Sequence, residues 1–454
     1  MQKKSGSKLN AILKYVSAAI LLAVPLYPKF PLIAVSGTYV SVRLEDWLLL
    51  LTALTIFFSV GKVKNLFKNK VVRAILIYLL AGFLSLISAV WITSTASLLL
   101  GFLHWARRIE YFMPILLGIL VLKRRATRLT FILKVLMLTI FAAFLYGLGQ
   151  KYLAWPIIIT QNSDYARGVA LRFIAGGHIN STFAGHYDLG SFMVLTLPII
   201  VCLFMLVNDL KTKICLGAIF MSGLWLLSFS GSRISVVSYL ISVVISLMLI
   251  KRYKMIPLVI FLSILAFSTS SNLLARYTRI IEVTLKKINI LSVFPKSVAI
   301  ASEEEILKVK QRYTPIPTPT PVFEDRSTSI RLNVEWPRAL RALNKNPVLG
   351  TGYSSITLAT DNDYLRALGE VGFLGFTALI LILARVGQTI LKAFPLNQKF
   401  ESTSLAFVAG TIGAIPGVLI NAFFIDIFEA SKFAIIFWFF IGLLLYTIRN
   451  HKFE

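Results

Sequence analysis

The chain has 454 residues, of which 57% are hydrophobic and only 15% charged, with a mean hydropathy of +0.78. So apolar a chain of this length excludes a soluble globular protein and reads as a polytopic membrane protein. The formal charge of +27 raises the question of nucleic acid, but Lys and Arg fall in short clusters between apolar runs, as orienting charges do in a bilayer, and nucleic acid is not expected as a partner.

The N-terminal stretch MQKKSGSKLNAILKY joins a basic start to an apolar run. It has no clear small-residue cleavage site, so it is expected to be retained as a first helix. A helix crossing about 30 Å of hydrocarbon needs roughly 20 apolar residues. On that measure spans are expected near 11–27, 46–61, 73–92, 106–122, 130–149, 189–208, 214–230, 233–250, 255–270, 368–391, 403–424 and 431–448. The expected architecture is therefore all-α, with about twelve transmembrane helices (residues 1–270 carrying nine, 368–454 three). Cys202 and Cys215 both fall inside spans and are expected to be membrane-buried thiols.

Lys62, Lys64, Lys68 and Lys70, then Lys123, Arg124, Arg125 and Arg128, then Lys211 and Lys213, then Lys251, Arg252 and Lys254 fall on one side, together with both termini. The positive-inside rule makes that side cytoplasmic. The long segment 271–367 then faces out, between spans nine and ten. It opens on basic helix-like sequence (Arg276 to Lys287) and contains TPIPTPTP from Thr314 to Pro321. Alternating proline favours extended polyproline II, so this piece reads as a spacer or an inert insertion.

From Ser329 the composition changes. Leu332, Trp336, Leu340 and Leu343 fall on one helical face, with Arg331, Glu335 and Arg338 opposite, and Pro337 is expected to kink the helix. Short helices are expected within 329–367. Then come the Pro347-Val348-Leu349-Gly350-Thr351-Gly352 turn and the Asp361-Asn362-Asp363-Tyr364-Leu365 run. Gly350 and Gly352 fit an ordinary turn or a close backbone approach to a ligand. The 361–363 triplet fits a helix cap or an Asp-x-Asp metal site, and the outward face argues against the second, since nucleotide sugars are cytoplasmic donors.

Two upstream features bear on chemistry. Arg233 follows Gly231-Ser232 at the outer end of a span, where a cation either snorkels, pairs with a carboxylate or meets a phosphate. The outer loop before span six carries Arg167, Arg172, His178 and His186-Tyr187-Asp188; a histidine there can serve as acid or base or as a structural hydrogen-bonding group, and Asp188 is expected to cap the next helix.

These segments, in order, resemble the O-antigen ligase and polymerase superfamily of membrane enzymes that move lipid-linked glycans. The resemblance runs over about residues 170–448: STFAGHYDLGSFMVLTLP (Ser181 to Pro198), a span pair joined at Gly231-Ser232-Arg233, Arg331 with Trp336, the Pro347 to Gly352 turn, and Asp361 to Leu365 with Glu370 and Gly372. It implies a GT-C-like fold and a metal-independent, inverting-type glycosyltransferase without a cofactor. The donor would be an undecaprenyl-pyrophosphate-linked glycan and the acceptor a glycan, lipid or protein hydroxyl. The enzyme would lie in the cytoplasmic (inner) membrane, with both termini cytoplasmic and the site on the extracytoplasmic face. Carried over residue by residue, Arg233 and Arg331 would hold the pyrophosphate and Asp361 would stand where the family has its base. The residues' own chemistry adds His186 as a second catalytic candidate and Arg172, Trp336, Arg338, Gly350, Gly352, Asn362 and Tyr364 as candidate substrate contacts. The ligases' proposed base is a histidine where this chain has Asp361. A carboxylate can also accept a hydroxyl proton. The rival from another class is a twelve-span transporter or flippase of lipid-linked glycans, which would ordinarily show related halves and a midplane site; no half-to-half similarity is visible.

Overall fold

The computed structural model describes residues 2–28, 31–36, 38, 40–59, 68–158, 170–171, 177–270, 278, 329–356 and 359–450. Most of these lie in helices: α1 Gln2–Leu26, α2 Leu44–Ser59, α3 Lys70–Trp91, α4 Leu98–Phe112, α5 Pro114–Lys123, α6 Leu129–Tyr152, α7 His186–Leu206, α8 Leu210–Ser230, α9 Arg233–Leu249, α10 Ile256–Ser268, α11 Trp336–Lys345, α12 Asp363–Leu391, α13 Ser402–Phe424 and α14 Ser431–Arg449. Two short antiparallel pairs, Pro31–Ala34 with Ser41–Arg43 and Ile157–Ile158 with Ala170–Leu171, close loops at one end.

Eight of the described helices are long and apolar enough to cross a membrane: Lys8–Leu26 of α1, and α3, α6, α7, α8, α12, α13 and α14. The other four expected segments coincide with shorter helices. The segment expected at 106–122 is two helices, because Pro114 opens α5 and has no N–H to continue the ladder of α4. The basic segment Arg276 to Lys287, apart from Thr278, and the proline-rich spacer both lie outside the described residues.

The centre of the bundle is α7 and α14, with nearly every side chain from Leu189 to Leu203 and from Ser431 to Leu445 buried. An all-round apolar helix cannot satisfy itself against water, and these two are sheathed by α5, α9 and α13. Glycine lets them close in: a Cβ at Gly410 of α13 would lie 2.5 Å from the Ile199 backbone of α7, and one at Gly442 of α14 would lie 2.2 Å from the Ile115 carbonyl of α5. Cys202 is buried inside the bundle, and Cys215 is exposed on the outer face of α8, one of the helices long and apolar enough to cross a membrane. At one end of the bundle, Asn10 donates to the Arg124 carbonyl and Arg449 to Asn69. At the other, Lys432 is fully buried and donates to the carbonyls of Pro25, Tyr27 and Thr182, tying the start of α14 to the end of α1 and the approach to α7.

α12 is discontinuous. Gly372 has φ 63° and breaks it, and the Pro347 to Gly352 turn plugs the break. The amides of Phe373 and Leu374 donate to the Pro347 and Val348 carbonyls (2.8 and 3.1 Å), while those of Thr351 and Gly352 donate to the Gly369 and Glu370 carbonyls (3.0 and 2.8 Å). Helix ends buried in apolar surroundings need such partners.

Candidate functional site

The end of the bundle that carries Lys432 gathers the starts of α7, α9, α12 and α14 and the end of α13. Gly190 of α7 lies so near the start of α9 that a Cβ on it would sit 2.8 Å from the Ser235 hydroxyl. Asn421 of α13 donates to Ser191 and Ser235 together, at 3.0 and 3.2 Å. Arg233, first residue of α9, and His186, first residue of α7, therefore belong to the same end. His186 stacks on His178 with ring centroids 4.1 Å apart, and the next residue, Tyr187, hydrogen-bonds with Arg331. Gly185 precedes α7 as its cap and Asp188 is buried in the first turn, so Asp188 is not the cap expected of it.

Over this end lies the segment from Ser329 to Lys345. Pro337 sits inside a helical run from Ser329 to Lys345, and it disturbs that run as expected: the turn before it, Arg331–Glu335, is π-helical, and α11 continues from Trp336. The faces are also inverted relative to a simple amphipathic reading. Leu332 and Leu340 are exposed, whereas Arg331, Glu335 and Arg338 are half-buried. Trp336 packs edge-on to Phe423 of α13 at 5.8 Å, and Tyr364 lies beside the same ring and donates to the Leu419 carbonyl.

Arg331 is paired with Asp361. Its Nε and Nη2 both donate to Asp361 Oδ2, at 3.0 and 2.8 Å. Burial raises the Asp361 carboxyl above the usual range and the Asp426 charge adds to this, while Arg331 pulls the other way. Asn362, rather than Asp361, is the helix cap, its side chain accepting from the amides of Tyr364 and Leu365. Asp363 turns away and accepts from the Phe428 amide at 3.1 Å. The two carboxylates of the Asp-x-Asp run thus face different partners rather than one ion.

Gly350 and Gly352 need their positive φ of 72° and 86° for packing. A Cβ at Gly350 would sit 2.5 Å from the Glu370 backbone, and one at Gly352 would sit 2.2 Å from the Ala89 side chain. The close approach read from the sequence is an approach of protein to protein, so these two glycines leave the set of substrate contacts. Arg172 lies outside the described residues.

Beneath the Arg331–Asp361 pair is an ionic network that the sequence reading missed. Asp426, in the link between α13 and α14, accepts from the amides of Thr360 and Asn362 and from Arg366 Nη1 at 2.8, 2.9 and 3.1 Å. Arg366 Nε also faces Glu370 at 3.4 Å and Glu429 at 3.7 Å. Arg108 of α4 bonds to Glu429 and lies 3.8 Å from Glu370. Burial would raise the Glu429 carboxyl, but Arg108 and Arg366 outweigh it and hold it down at about 2. A cavity of about 40 Å³ lies among Arg108, Tyr353, Asp363, Glu370 and Glu429. That is room for water, not for a sugar or a pyrophosphate. The missed signal was a charge inside an apolar run: Arg108 sits in LLLGFLHWARRIEYF and Glu429 in FFIDIFEAS.

The order of these parts along the chain (Gly231 to Arg233, Arg331, the glycine turn, Asp361 to Glu370) is matched by a known family over residues 216–380. That stretch is similar to the O-antigen ligases, whose family model it matches. No curated protein matches the chain. The O-antigen ligase match covers Arg233, Arg331, Trp336, Arg338 and Asp361 to Tyr364, and leaves His186, Arg108, Asp426 and Glu429 outside. The apolar helices make this a multi-pass membrane protein, and its matched stretch is similar to the O-antigen ligases.

Proposed function

We propose that the protein transfers a glycan from undecaprenyl pyrophosphate to an acceptor hydroxyl, at the outer face of the cytoplasmic membrane and as a twelve-span protein with both termini inside. The observation that carries this reading is the half-buried Arg331, presented over the converging ends of α7, α9, α12 and α13, with its guanidinium balanced by a carboxylate. A sugar leaving as pyrophosphate develops negative charge, and a fixed cation stabilises that charge as it forms. Guanidinium groups supply it in this scheme, Arg331 directly and Arg233 from the start of α9. Asp361 keeps Arg331 in place until the anion arrives, since a pyrophosphate offers the same fork the carboxylate occupies. Trp336 and Tyr364 give the flat aromatic walls on which sugar rings pack.

The resemblance puts Asp361 where the family has its base for the hydroxyl proton, and His186 is a second candidate by its own chemistry; inversion at the anomeric carbon follows if the hydroxyl attacks opposite the pyrophosphate. The test is gel analysis of surface glycans from cells with and without the gene. Loss of long chains with single-repeat product retained means polymerisation, and long chains left on the lipid carrier mean ligation. An unchanged glycan profile would overturn the proposal.

A further inference from the structure

Pro337 has no N–H, and the chain answers by widening the turn before it into the π-helical Arg331–Glu335, closed by the Trp336 amide on the Arg331 carbonyl. Glu335 ends the wide turn, and Trp336 and Arg338 open the helix that follows it. Glu335 Oε2, Trp336 Nε1 and Arg338 Nη1 are all buried, and none has a hydrogen-bond partner among the described residues. Buried polar atoms are ordinarily paired, so three unpartnered ones within four residues leave this segment with hydrogen bonds still to make. One acceptor and two donors match the hydroxyls of a sugar.

We propose that Glu335 is the group that takes the proton of the acceptor hydroxyl, with Trp336 Nε1 and Arg338 Nη1 binding the neighbouring hydroxyls of the acceptor sugar. The inference rests on the glycan-transfer reading and fixes its acceptor side. Four charged groups face Glu335: Arg331 on its own turn, Arg338 on α11, Asp361 before α12 and Asp426 before α14. Burial and then Asp361 push the Glu335 carboxyl up, Arg331 and Arg338 restrain it, and Asp426 adds to the rise; it comes to about 7, where a general base works best near neutral pH. Asp361, by contrast, spends Oδ2 on Arg331.

The step balances. The acceptor O–H proton passes to the Glu335 carboxylate as the oxygen bonds the anomeric carbon; the bond from that carbon to the pyrophosphate oxygen breaks, and its electron pair leaves with the pyrophosphate on Arg331. Half-exposed, Glu335 then returns the proton to water.

The experiment uses the full-length protein in nanodiscs, with two readouts for wild type, Glu335→Gln and Glu335→Asp. Infrared titration of the carboxyl stretch should show intensity with its midpoint near pH 7, part of it from the raised Glu335 carboxyl and lost in Glu335→Gln. Transfer from an undecaprenyl-pyrophosphate-linked glycan should rise with pH through that midpoint in wild type. It should fall by about 10²-fold or more and lose that rise in Glu335→Gln, and recover in part in Glu335→Asp. A Glu335→Gln protein with the wild-type rate and profile would overturn the proposal, and so would an unchanged infrared band. Wild type that titrates normally but transfers to no hydroxyl would instead overturn the glycan-transfer reading, and this role with it.

Discussion

Asp426 brackets Asp361. Its two carboxylate oxygens accept the amides of Thr360 and Asn362, the residues on either side, at 2.8 and 2.9 Å. Held between them, Asp361 adopts φ 48°, a left-handed conformation uncommon for any residue but glycine. The Arg331–Asp361 pair therefore rests on a second carboxylate 65 positions further on.

Replacing Asp426 with Ala removes both amide partners and leaves Arg366 short of one counter-charge. Breaking a buried, hydrogen-bonded ion pair from one side costs about 3 to 5 kcal/mol, and the exposed fraction here places the loss toward the low end. Asp426→Asn keeps an acceptor for one amide and should lose less. Thermal unfolding in detergent reads the loss, and equal stability of both variants with wild type would remove Asp426 from this role.

The broken helix gives a second prediction. Gly372→Ala puts a Cβ 2.4 Å from the Val348 carbonyl oxygen at a residue with φ 63°. The strain of that φ and the displaced turn should together cost about 2 kcal/mol or more. Gly387→Ala, on the same helix with nothing within 4 Å of the new Cβ, should be neutral or slightly stabilising. Comparable losses from both would mean the plugged break is not what makes position 372 special.

Much of this was legible beforehand, and the misses have physical causes. The helices reveal themselves by length and hydropathy, which needs no knowledge of packing. Motif order placed Arg233, Arg331 and Asp361 at one end because charges between spans alternate sides. The pairing of Arg331 with Asp361 was not visible, since nothing in a sequence says that a cation and a carboxylate 30 positions apart fold onto each other. The glycine turn misled for a related reason: positive φ is written into Gly350 and Gly352, but not what approaches them, which is the Glu370–Gly372 backbone for the first and Ala89 of α3 for the second. Arg108 was hidden because its partners, Glu370 and Glu429, lie far along the chain and only the fold brings them to it.

Topology is testable with cysteines. In a background without Cys202 and Cys215, Asn344→Cys, exposed on α11, should react with an impermeant thiol reagent added to whole cells. Arg125→Cys, exposed in the basic link after α5, should react only after lysis. The reverse pattern would invert the membrane orientation.

Stability should also carry the mark of Glu335. Its folded pKa of about 7 lies above the ordinary 4.5. Between those values the folded state holds more proton than the unfolded one, so stability falls as pH rises through that window. Glu335→Gln should flatten the fall, read as the unfolding temperature against pH. A slope unchanged by the substitution would mean the carboxyl titrates as an ordinary one.

The central claim is that Arg331 and Arg233 serve one leaving group, and it is tested most directly by transfer rates from a synthetic undecaprenyl pyrophosphate glycan, for wild type, Arg331→Ala, Arg233→Ala and the double variant, with folding checked separately. Each single change should remove about 2 to 4 kcal/mol of transition-state stabilisation, and Lys should rescue only in part, since it lacks the planar fork. The double variant should lose much less than the sum, because groups acting on one charge are not additive. Full additivity, or wild-type transfer by a folded Arg331→Ala protein, would contradict the claim.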